Sequence, residues 1–342
     1  MITIGINGFG RIGRAMARLN LRHQKYRLAA INDIDRDTHN LAYLLKYDTT
    51  YGKLFGVKIE AERDVIRING DNIQIFNEAN IDDVPWREIG VDVVVDASGV
   101  LQNVLSAKDI VTDSVKKVLV THAPKQGIDF SYMYGVNADN YDKTRHHVVS
   151  SSICDANALA PFYKLIDREF GIVLGEVTTL HPWLSYQNLL DGTLQSVSSP
   201  GHQWRDYALG RSSVGVLIPK ETTLCDAMLE VLPESAETLH ASSFRTPTSI
   251  VSCVDGVFLL EKETTLARVN EALESYTDAF PGVLELDERS LISIDYLGNE
   301  SSAVVDLRWL HLSKGKMLKF VLWYDNEWGY ASRAYQIIGR LI

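Results

Sequence analysis

A glycine-rich turn near the N-terminus constrains the fold of this chain more than any other feature. An apolar run at residues 2–6 is followed by the pattern G-x-G-x-x-G, formed by Gly8, Gly10 and Gly13, and then by a helical pattern through Leu19. In such a turn the first glycine permits the tight bend, the second lets a pyrophosphate approach the backbone, and the third lets the helix pack on the strand. This order predicts a dinucleotide-binding unit.

An acid at the end of the next apolar run indicates which dinucleotide would bind. Residues 28–32 form this run, and Asp33 follows the glycines at roughly the 20-residue spacing where a carboxylate accepts hydrogen bonds from the adenosine ribose. A carboxylate at this position repels a 2′-phosphate, so NAD is favoured over NADP. The alternative is that Asp33 is an ordinary turn residue.

Two further apolar runs extend the same pattern. Residues 91–96 form a continuous apolar strand followed by Ser98, and residues 117–121 form another that ends at His122. Uninterrupted apolar strands that alternate with helical patterns are typical of a parallel sheet, whose ligands bind at the carboxyl edge. We therefore expect a doubly wound α/β domain over roughly the first 150 residues. His122 is expected to be a polar strand-end residue rather than a catalyst.

Composition argues against several classes of function. The formal net charge of -10 and the pI near 5.4 argue against a nucleic-acid partner, which requires a basic surface. No apolar run reaches the roughly 18 residues of a membrane span. The three cysteines, Cys154, Cys225 and Cys253, lack disulfide-like spacing, which indicates a reducing, cytoplasmic compartment. The length of 342 residues predicts about two domains.

Cys154 is the candidate nucleophile. It lies in the segment SSSICDAN, residues 150–157, where a short apolar run gives way to a helical pattern. A thiol at a helix start meets unpaired backbone N–H groups and the positive end of the helix dipole, which favour the thiolate. The alternative is that Cys154 is a small buried hydrophobic residue, as free cysteines commonly are.

Further stretches along the chain have a recognisable sequence. They are INGFGRIGR (residues 6–14), YLLKYDTTYG (43–52), GVN (135–137), the cysteine segment, VTTLH (177–181), FRTP (244–247) and WYDNEWGY (323–330). In this order they resemble the phosphorylating glyceraldehyde-3-phosphate dehydrogenase family, and the resemblance covers nearly the whole chain.

The resemblance implies a two-domain architecture. A Rossmann-type, doubly wound NAD-binding domain would occupy residues 1–153 and would be completed by a C-terminal helix within 326–342. An α+β catalytic domain with a mostly antiparallel sheet would occupy residues 154–325. The chain's own pattern agrees, because residues 175–180, 249–260 and 316–324 are rich in strand-forming side chains. Homotetramers are usual in the family, so the resemblance also implies a homotetramer.

The resemblance assigns roles to the matched residues. Cys154 would attack an aldehyde, and His181 would act as the base and stabilise the tetrahedral oxygen, with a histidine pKa that needs no large shift. Arg245 would bind the substrate phosphate. The alternatives are a structural histidine and an arginine in an ordinary ion pair. The residues implied in cofactor binding are Asn7, Gly8, Gly10, Arg11, Ile12, Gly13, Asp33, Ser98 and Asn326.

The chain departs from the family pattern around the substrate. Hydroxyl residues that flank the family's nucleophile are replaced by Ile153 and Asp155, and a carboxylate there opposes both an attacking phosphate and thiolate formation. Asp155 could instead be an ordinary acid in the first turn of a helix. The two family threonines that assist the arginine fall on Leu184 and Tyr186.

A second set of departures lies further along the chain. Thr222 keeps a hydroxyl in the loop that contacts the attacking phosphate in the family, and Thr223 replaces a family glycine. The stretch 204–211 is about three residues longer than usual. We therefore expect Tyr186, Thr222, Thr223 and Asp155 to shape an altered substrate site.

Two hypotheses follow from these observations. The first is NAD-dependent oxidation of a small, phosphorylated aldehyde, by default glyceraldehyde 3-phosphate, through a cysteine thioester whose acyl group passes to phosphate or water. The second is a catalytically weak relative that acts as an NAD-binding sensor or interaction protein.

Overall fold

The chain forms two compact units in a computed structural model that describes residues 1–196, 203–204 and 206–342. The first unit comprises residues 1–153 together with 330–342, and the second comprises residues 154–329. Residue 205, within the stretch predicted to be longer than usual, lies outside the described residues.

A nine-stranded sheet forms the centre of the first unit. Its strands are β1 (Thr3–Asn7), β2 (Arg27–Asn32), β5 (Ile59–Glu62), β6 (Val65–Ile68), β7 (Asp71–Phe76), β8 (Val93–Asp96), β9 (Lys117–Val120), β10 (Phe130–Ser131) and β11 (Val148–Ser150), while β3 (Tyr47–Asp48) and β4 (Gly52–Lys53) pair separately. The order is β10-β11-β9-β8-β1-β2-β7-β6-β5, parallel from β10 to β7. This is the doubly wound sheet that the apolar runs predicted.

Helices cover this sheet because its strands are apolar on both faces. They are α1 (Arg11–His23), α2 (Thr38–Lys46), α3 (Trp86–Ile89) and α4 (Leu101–Ser106). The C-terminal helix α8 (Trp328–Leu341) begins two residues after the predicted segment starts, and its residues from Tyr330 onward belong to the first unit. Tyr335 fixes α8 against α1, because its hydroxyl donates to Asn20 Oδ1 at 2.9 Å.

The second unit contains an eight-stranded, mostly antiparallel sheet. Its strands are β12 (Ile172–Pro182), β13 (Ile218–Lys220), β14 (Leu239–Thr246), β15 (Ser252–Leu260), β16 (Leu284–Asp287), β17 (Ala303–Asp306), β18 (His311–Ser313) and β19 (Met317–Tyr324). Among the described strands of this second sheet, only the pairs β12–β14 and β16–β17 are parallel. The predicted fold class, a Rossmann-type domain plus an α+β domain, is confirmed.

An aromatic cluster fixes the helix that begins with Cys154. The helices of this unit are α5 (Cys154–Phe170), α6 (Leu224–Val231) and α7 (Leu266–Ala279). Phe162 of α5 packs on Phe320 of β19, and Phe320 packs on Phe258 of β15, with 4.6 Å between ring centroids in both pairs. This buried contact anchors α5 on the sheet. Among the described helices, none is long and apolar enough to cross a membrane.

Candidate active site

The first unit has a cavity of about 260 Å³ at the carboxyl ends of β1, β2 and β8. Its walls include five of the predicted cofactor residues, Asn7, Gly8, Gly10, Asp33 and Ser98. The chain brings them together because all three strands are parallel and end at the same edge. The cavity thus lies where a doubly wound sheet binds its ligand.

A side chain would meet different surroundings at each of the three glycines of the turn. Gly8 has a φ of +89°, and a side chain there would lie 2.6 Å from the backbone of Ser98. A side chain at Gly13 would lie 2.2 Å from the carbonyl oxygen of Gly8, so the helix could not approach the strand. A side chain at Gly10 would meet no atom within 4 Å. The absence of a side chain at Gly10 is therefore not required by packing within the protein, and the open space beside it can hold a ligand.

This difference predicts that two matched substitutions affect different properties, stability at Gly13 and NAD binding at Gly10. Gly13→Ala is expected to lower the unfolding temperature, because overpacking costs about 1–3 kcal/mol. Gly10→Ala is expected to unfold like the wild type but to weaken NAD binding about tenfold or more, about 1.4 kcal/mol. Thermal unfolding and calorimetric titration with NAD measure the two effects. Unchanged NAD affinity in Gly10→Ala would contradict the proposed use of this space.

Buried polar contacts hold the cavity wall. Asp96 Oδ1 accepts hydrogen bonds from Asn7 Nδ2 at 2.9 Å and from Ser98 Oγ at 2.7 Å. Asn32 Nδ2 in turn donates to Asn7 Oδ1 at 2.7 Å. Asp33 Oδ2 accepts a 2.6 Å hydrogen bond from the backbone N–H of Phe9, so it also fixes the glycine turn. Burial raises the pKa of Asp96.

Arg11 and Ile12 begin helix α1 and are both partly exposed. Arg11 Nη1 lies 2.5 Å from Asp48 Oδ2, and its guanidinium lies over the ring of Tyr51 at 5.5 Å. The arginine is thus anchored by the α2–β4 region of the same unit. Arg11 would therefore contact a bound dinucleotide with its guanidinium held in this position.

A strained turn precedes the candidate nucleophile. Ser152 has a φ of +61°, which is uncommon for a residue with a side chain. Its N–H donates to Ser150 Oγ at 2.9 Å, and its carbonyl oxygen accepts from the hydroxyl of Tyr330 at 3.0 Å. These contacts hold the backbone that leads into Cys154, the first residue of α5.

Three reactive side chains meet at the start of α5. Cys154 Sγ lies 3.3 Å from Asp155 Oδ1 and 3.7 Å from His181 Nε2, and the last two atoms are 3.9 Å apart. The hydroxyl of Tyr324, at the end of β19, donates to Asp155 Oδ1 at 2.8 Å. Asp155 is therefore part of the reactive cluster and not merely an acid that stabilises a helix.

The protonation state of the thiol differs from the sequence-based expectation. Burial raises the pKa of Cys154 well above its usual value, and the neighbouring Asp155 carboxylate raises it further. The expected preference for thiolate is therefore wrong, because these two effects outweigh the helix terminus. At neutral pH the resting nucleophile is a thiol, and its reaction requires a proton acceptor.

His181 also differs from expectation. Burial lowers the pKa of this imidazole to about 4, although Asp155 acts in the opposite direction. The expectation of a pKa without a large shift is wrong, because the side chain is almost completely enclosed. The imidazole is neutral at physiological pH.

Arg245 lies beside His181 because β12 and β14 pair in parallel with these two residues opposite each other. Its Nη1 lies 2.6 Å from His181 Nδ1 and 3.1 Å from the carbonyl oxygen of Pro182, and its Nη2 donates to the hydroxyl of Tyr186 at 2.9 Å. Within the described part of the chain, the guanidinium contacts no carboxylate, and Nε has no hydrogen-bond partner. A buried arginine without an anionic partner fits a bound anion better than an ordinary ion pair.

The remaining predicted substrate residues lie on nearby segments. The ring of Tyr186 packs against that of Trp204 at 4.9 Å. Thr222 and Thr223 form the turn that begins α6, where Thr222 Oγ1 accepts a hydrogen bond from a backbone N–H. Lys220, two residues earlier, is close enough to interact electrostatically with the reactive cluster, and burial lowers its pKa.

The second unit contains a buried amide that was predicted to bind the cofactor. Asn326 is buried, and its side-chain oxygen has no hydrogen-bond partner among the described residues, so this oxygen is available to accept a hydrogen bond from a ligand.

The donor atoms of Cys154, Asp155 and His181 all lie within 4.8 Å of one another, so they could ligate Zn²⁺. Metal binding would consume the thiol, so it and nucleophilic chemistry exclude each other here.

Comparison with known proteins decides the family. Residues 2–104 match the model described as glyceraldehyde 3-phosphate dehydrogenase, NAD binding domain, and residues 153–326 match the model of the C-terminal domain. The chain is 37% identical over 336 residues to glyceraldehyde-3-phosphate dehydrogenase 2 of Trichormus variabilis, covering 97% of this chain and 96% of that protein. It is also 37% identical to the enzymes of Bacillus cereus (glyceraldehyde-3-phosphate dehydrogenase 1) and Geobacillus stearothermophilus, with the same coverage.

This chain belongs to the glyceraldehyde-3-phosphate dehydrogenase family. The expected family, its dehydrogenase class and its cofactor NAD are thereby confirmed. The cavity at the carboxyl edge of the parallel sheet in the first unit is compatible with that cofactor.

Sequence reasoning missed several residues that support the sites of this family member. Tyr324 is the last of four inward-facing residues of β19, after Leu318, Phe320 and Leu322. A tyrosine at the end of an otherwise apolar inward row was the available signal. Asn32 and Asp96, which hold the cavity wall, and Lys220, which lies near the thiol, had no comparable signal.

Proposed function

We propose that this chain is an NAD-dependent dehydrogenase that oxidises glyceraldehyde 3-phosphate through a thioester on Cys154. One observation carries the proposal: a thiol, a neutral imidazole and a buried arginine without an anionic partner lie in consecutive contact. The separations are 3.7 Å from Cys154 Sγ to His181 Nε2 and 2.6 Å from His181 Nδ1 to Arg245 Nη1.

These residues divide the chemistry of aldehyde oxidation. As the sulfur of Cys154 adds to the aldehyde carbon, its proton passes to the neutral imidazole of His181, and the protonated ring donates a hydrogen bond to the developing oxyanion. Bound NAD supplies the acceptor for the hydride. Arg245 offers a fork of donors to the substrate phosphate, which is a stronger acceptor than the phenol that Arg245 contacts in this structure. Asn326 would hold the carboxamide of the cofactor.

The assembly and location belong to the same proposal. Family resemblance supports a homotetramer. The cysteines Cys154, Cys225 and Cys253 are all unpaired, which supports a reducing cytoplasmic compartment. The net charge of -10 supports a small-molecule substrate rather than a nucleic acid.

A panel of aldehydes tests the proposed function. Purified protein would be mixed with NAD and either glyceraldehyde 3-phosphate, a longer phosphorylated aldehyde or unphosphorylated glyceraldehyde, and NADH would be followed by absorbance. We expect the highest kcat/KM for a phosphorylated substrate, at least about tenfold above glyceraldehyde, because one charge-assisted contact contributes about 1.5–3 kcal/mol. Absence of NADH with every aldehyde would favour the alternative of an NAD-binding sensor, which no feature of the described residues supports.

A further inference from the structure

The donor atoms of Cys154, Asp155 and His181 form a small triangle at the start of α5. Cys154 Sγ lies 3.3 Å from Asp155 Oδ1 and 3.7 Å from His181 Nε2, and the third side of the triangle is 3.9 Å. In a tetrahedral zinc site, bonds of about 2.0–2.3 Å place neighbouring sulfur, oxygen and nitrogen ligands about 3.3–3.6 Å apart. A contraction of about 0.6 Å along the longest side would therefore fit the triangle to one face of such a site.

We propose that these three side chains form an inhibitory binding site for Zn²⁺, with a thiolate, a carboxylate and an imidazole as ligands. Thiolate and imidazole ligands favour Zn²⁺, whereas Mg²⁺ and Ca²⁺ prefer oxygen ligands. Asp155 stands where the family pattern has a hydroxyl residue, so the third ligand is a feature of this chain. The inference goes beyond the proposed oxidation, because metal binding requires neither NAD nor an aldehyde.

Contacts around the triangle hold two of the ligands in place. The hydroxyl of Tyr324 donates to Asp155 Oδ1 at 2.8 Å. Coordination through His181 Nε2 requires the ring hydrogen on Nδ1, where the carbonyl oxygen of Pro182 accepts it at 2.9 Å. Arg245 Nη1, 2.6 Å from Nδ1, would then direct its hydrogen to the same oxygen, 3.1 Å away. Hydrogen bonds of this kind orient the ligands in metal sites.

Charge favours a divalent cation between these ligands. The thiolate of Cys154 and the carboxylate of Asp155 together neutralise Zn²⁺, and the S–H proton leaves to solvent when the sulfur binds the metal. Without the carboxylate, the site would keep a net positive charge close to the cations Arg245 and Lys220, which is costly in a buried environment. Asp155 is therefore the ligand on which metal affinity depends most.

The sulfur is the accessible corner of the triangle. Cys154 is partly exposed, whereas Asp155 and His181 are buried. Zn²⁺ would thus enter past the sulfur, and water on that side would supply a fourth ligand. A sulfur bound to Zn²⁺ cannot also add to an aldehyde carbon. Metal binding would therefore block the nucleophile, and a chelator would release it.

Co²⁺ serves as a spectroscopic probe for this site. The full-length protein would be freed of metal with EDTA, desalted and titrated with Co²⁺ in the absence of NAD and aldehyde. We expect saturation at one ion per chain, with a thiolate-to-cobalt charge-transfer band and the intense visible bands of tetrahedral coordination. Zn²⁺ should abolish these bands, because it binds such ligands more tightly than Co²⁺ does. Absence of the charge-transfer band would overturn the inference.

Three variants assign the metal to this cluster. Cys154→Ser should lose the charge-transfer band, and Cys225→Ser, the same change in a thiol of α6, should retain it. Asp155→Asn keeps the shape of the side chain but removes its charge. It should bind Zn²⁺ at least about tenfold more weakly, since even the loss of an outer contact typically costs that much. A band that persists in Cys154→Ser, or equal affinity in Asp155→Asn, would overturn the inference.

Tyr324→Phe keeps all three ligands and removes only the hydrogen bond to Asp155. Its affinity for Zn²⁺ should fall about tenfold, while the charge-transfer band at saturation should be retained. This variant tests the carboxylate even if Asp155→Asn proves unstable in thermal unfolding. An affinity equal to that of the wild type would contradict the role of Asp155 as a ligand.

Kinetics separate the metal site from the proposed function. Zn²⁺ should abolish NADH formation by the wild type, with half-inhibition at the dissociation constant obtained by competition with Co²⁺, and excess EDTA should restore it. Full activity of the protein saturated with Zn²⁺ would overturn the inference and leave the proposed function intact. Cobalt bands from a metal-free protein that forms no NADH with any aldehyde would support the metal site and count against the proposed function.

Discussion

Cys154→Ser is expected to lower kcat/KM for NADH formation by at least about 10⁴-fold, the scale seen when a catalytic nucleophile is removed. Serine is nearly the same size, but its hydroxyl is far less acidic than a thiol and a weaker nucleophile. The neutral imidazole of His181, 3.7 Å from the sulfur, could not activate it equally well. Steady-state kinetics with glyceraldehyde 3-phosphate and NAD measure the effect.

A second cysteine provides a matched control for this substitution. Cys225 lies on α6, is partly buried, and its thiol points to the carbonyl oxygen of Leu239 at 3.6 Å. Cys225→Ser makes the same chemical change away from the reactive cluster and should retain near wild-type kinetics. Residual activity of Cys154→Ser within tenfold of this control would be incompatible with covalent catalysis at Cys154.

Arg245→Lys is expected to have the largest effect on substrate preference. Lysine keeps the charge but loses the planar fork, so kcat/KM for the phosphorylated aldehyde should fall about 10- to 100-fold, or about 1.5–3 kcal/mol. Oxidation of unphosphorylated glyceraldehyde should fall less, although Arg245 also contacts His181. The decisive quantity is the ratio of the two kcat/KM values, which should decrease at least about tenfold.

Arg289→Lys serves as the control for this measurement. Its guanidinium is largely exposed and pairs with Asp287 at 2.6 Å on the surface of the same unit. The ratio of kcat/KM values should therefore stay at the wild-type value. If Arg245→Lys also leaves the ratio unchanged, the arginine does not recognise the substrate phosphate.

Local sequence patterns were sufficient to predict most of the fold. The need for Gly13 arises from a contact within six residues, because a side chain there would lie 2.2 Å from the carbonyl oxygen of Gly8. The strand predicted at residues 91–96 is recognisable because Val93, Val94 and Val95 are consecutive strand-forming apolar residues, and the structure buries all three. Such features depend on residues close together in the sequence, so they can be predicted without knowing which distant residues they contact.

The electrostatics of the site could not be predicted in the same way. The thiolate expectation for Cys154 failed because burial, which no local pattern reveals, outweighs the helix terminus. The pKa of His181 near 4 has the same cause. Tyr324 meets Asp155 across 169 positions of sequence, and Arg245 meets His181 across 64, so both contacts depend on sheet register.

Detection of the acyl-enzyme would show directly whether oxidation proceeds through a thioester on Cys154. Wild-type protein would be mixed rapidly with glyceraldehyde 3-phosphate and NAD, quenched in acid within the first turnover, digested and analysed by mass spectrometry. We expect a phosphoglyceroyl group on the peptide that contains Cys154, in an amount equal to the NADH formed. An NADH burst without acylation of that peptide, or with the acyl group on another residue, would contradict it.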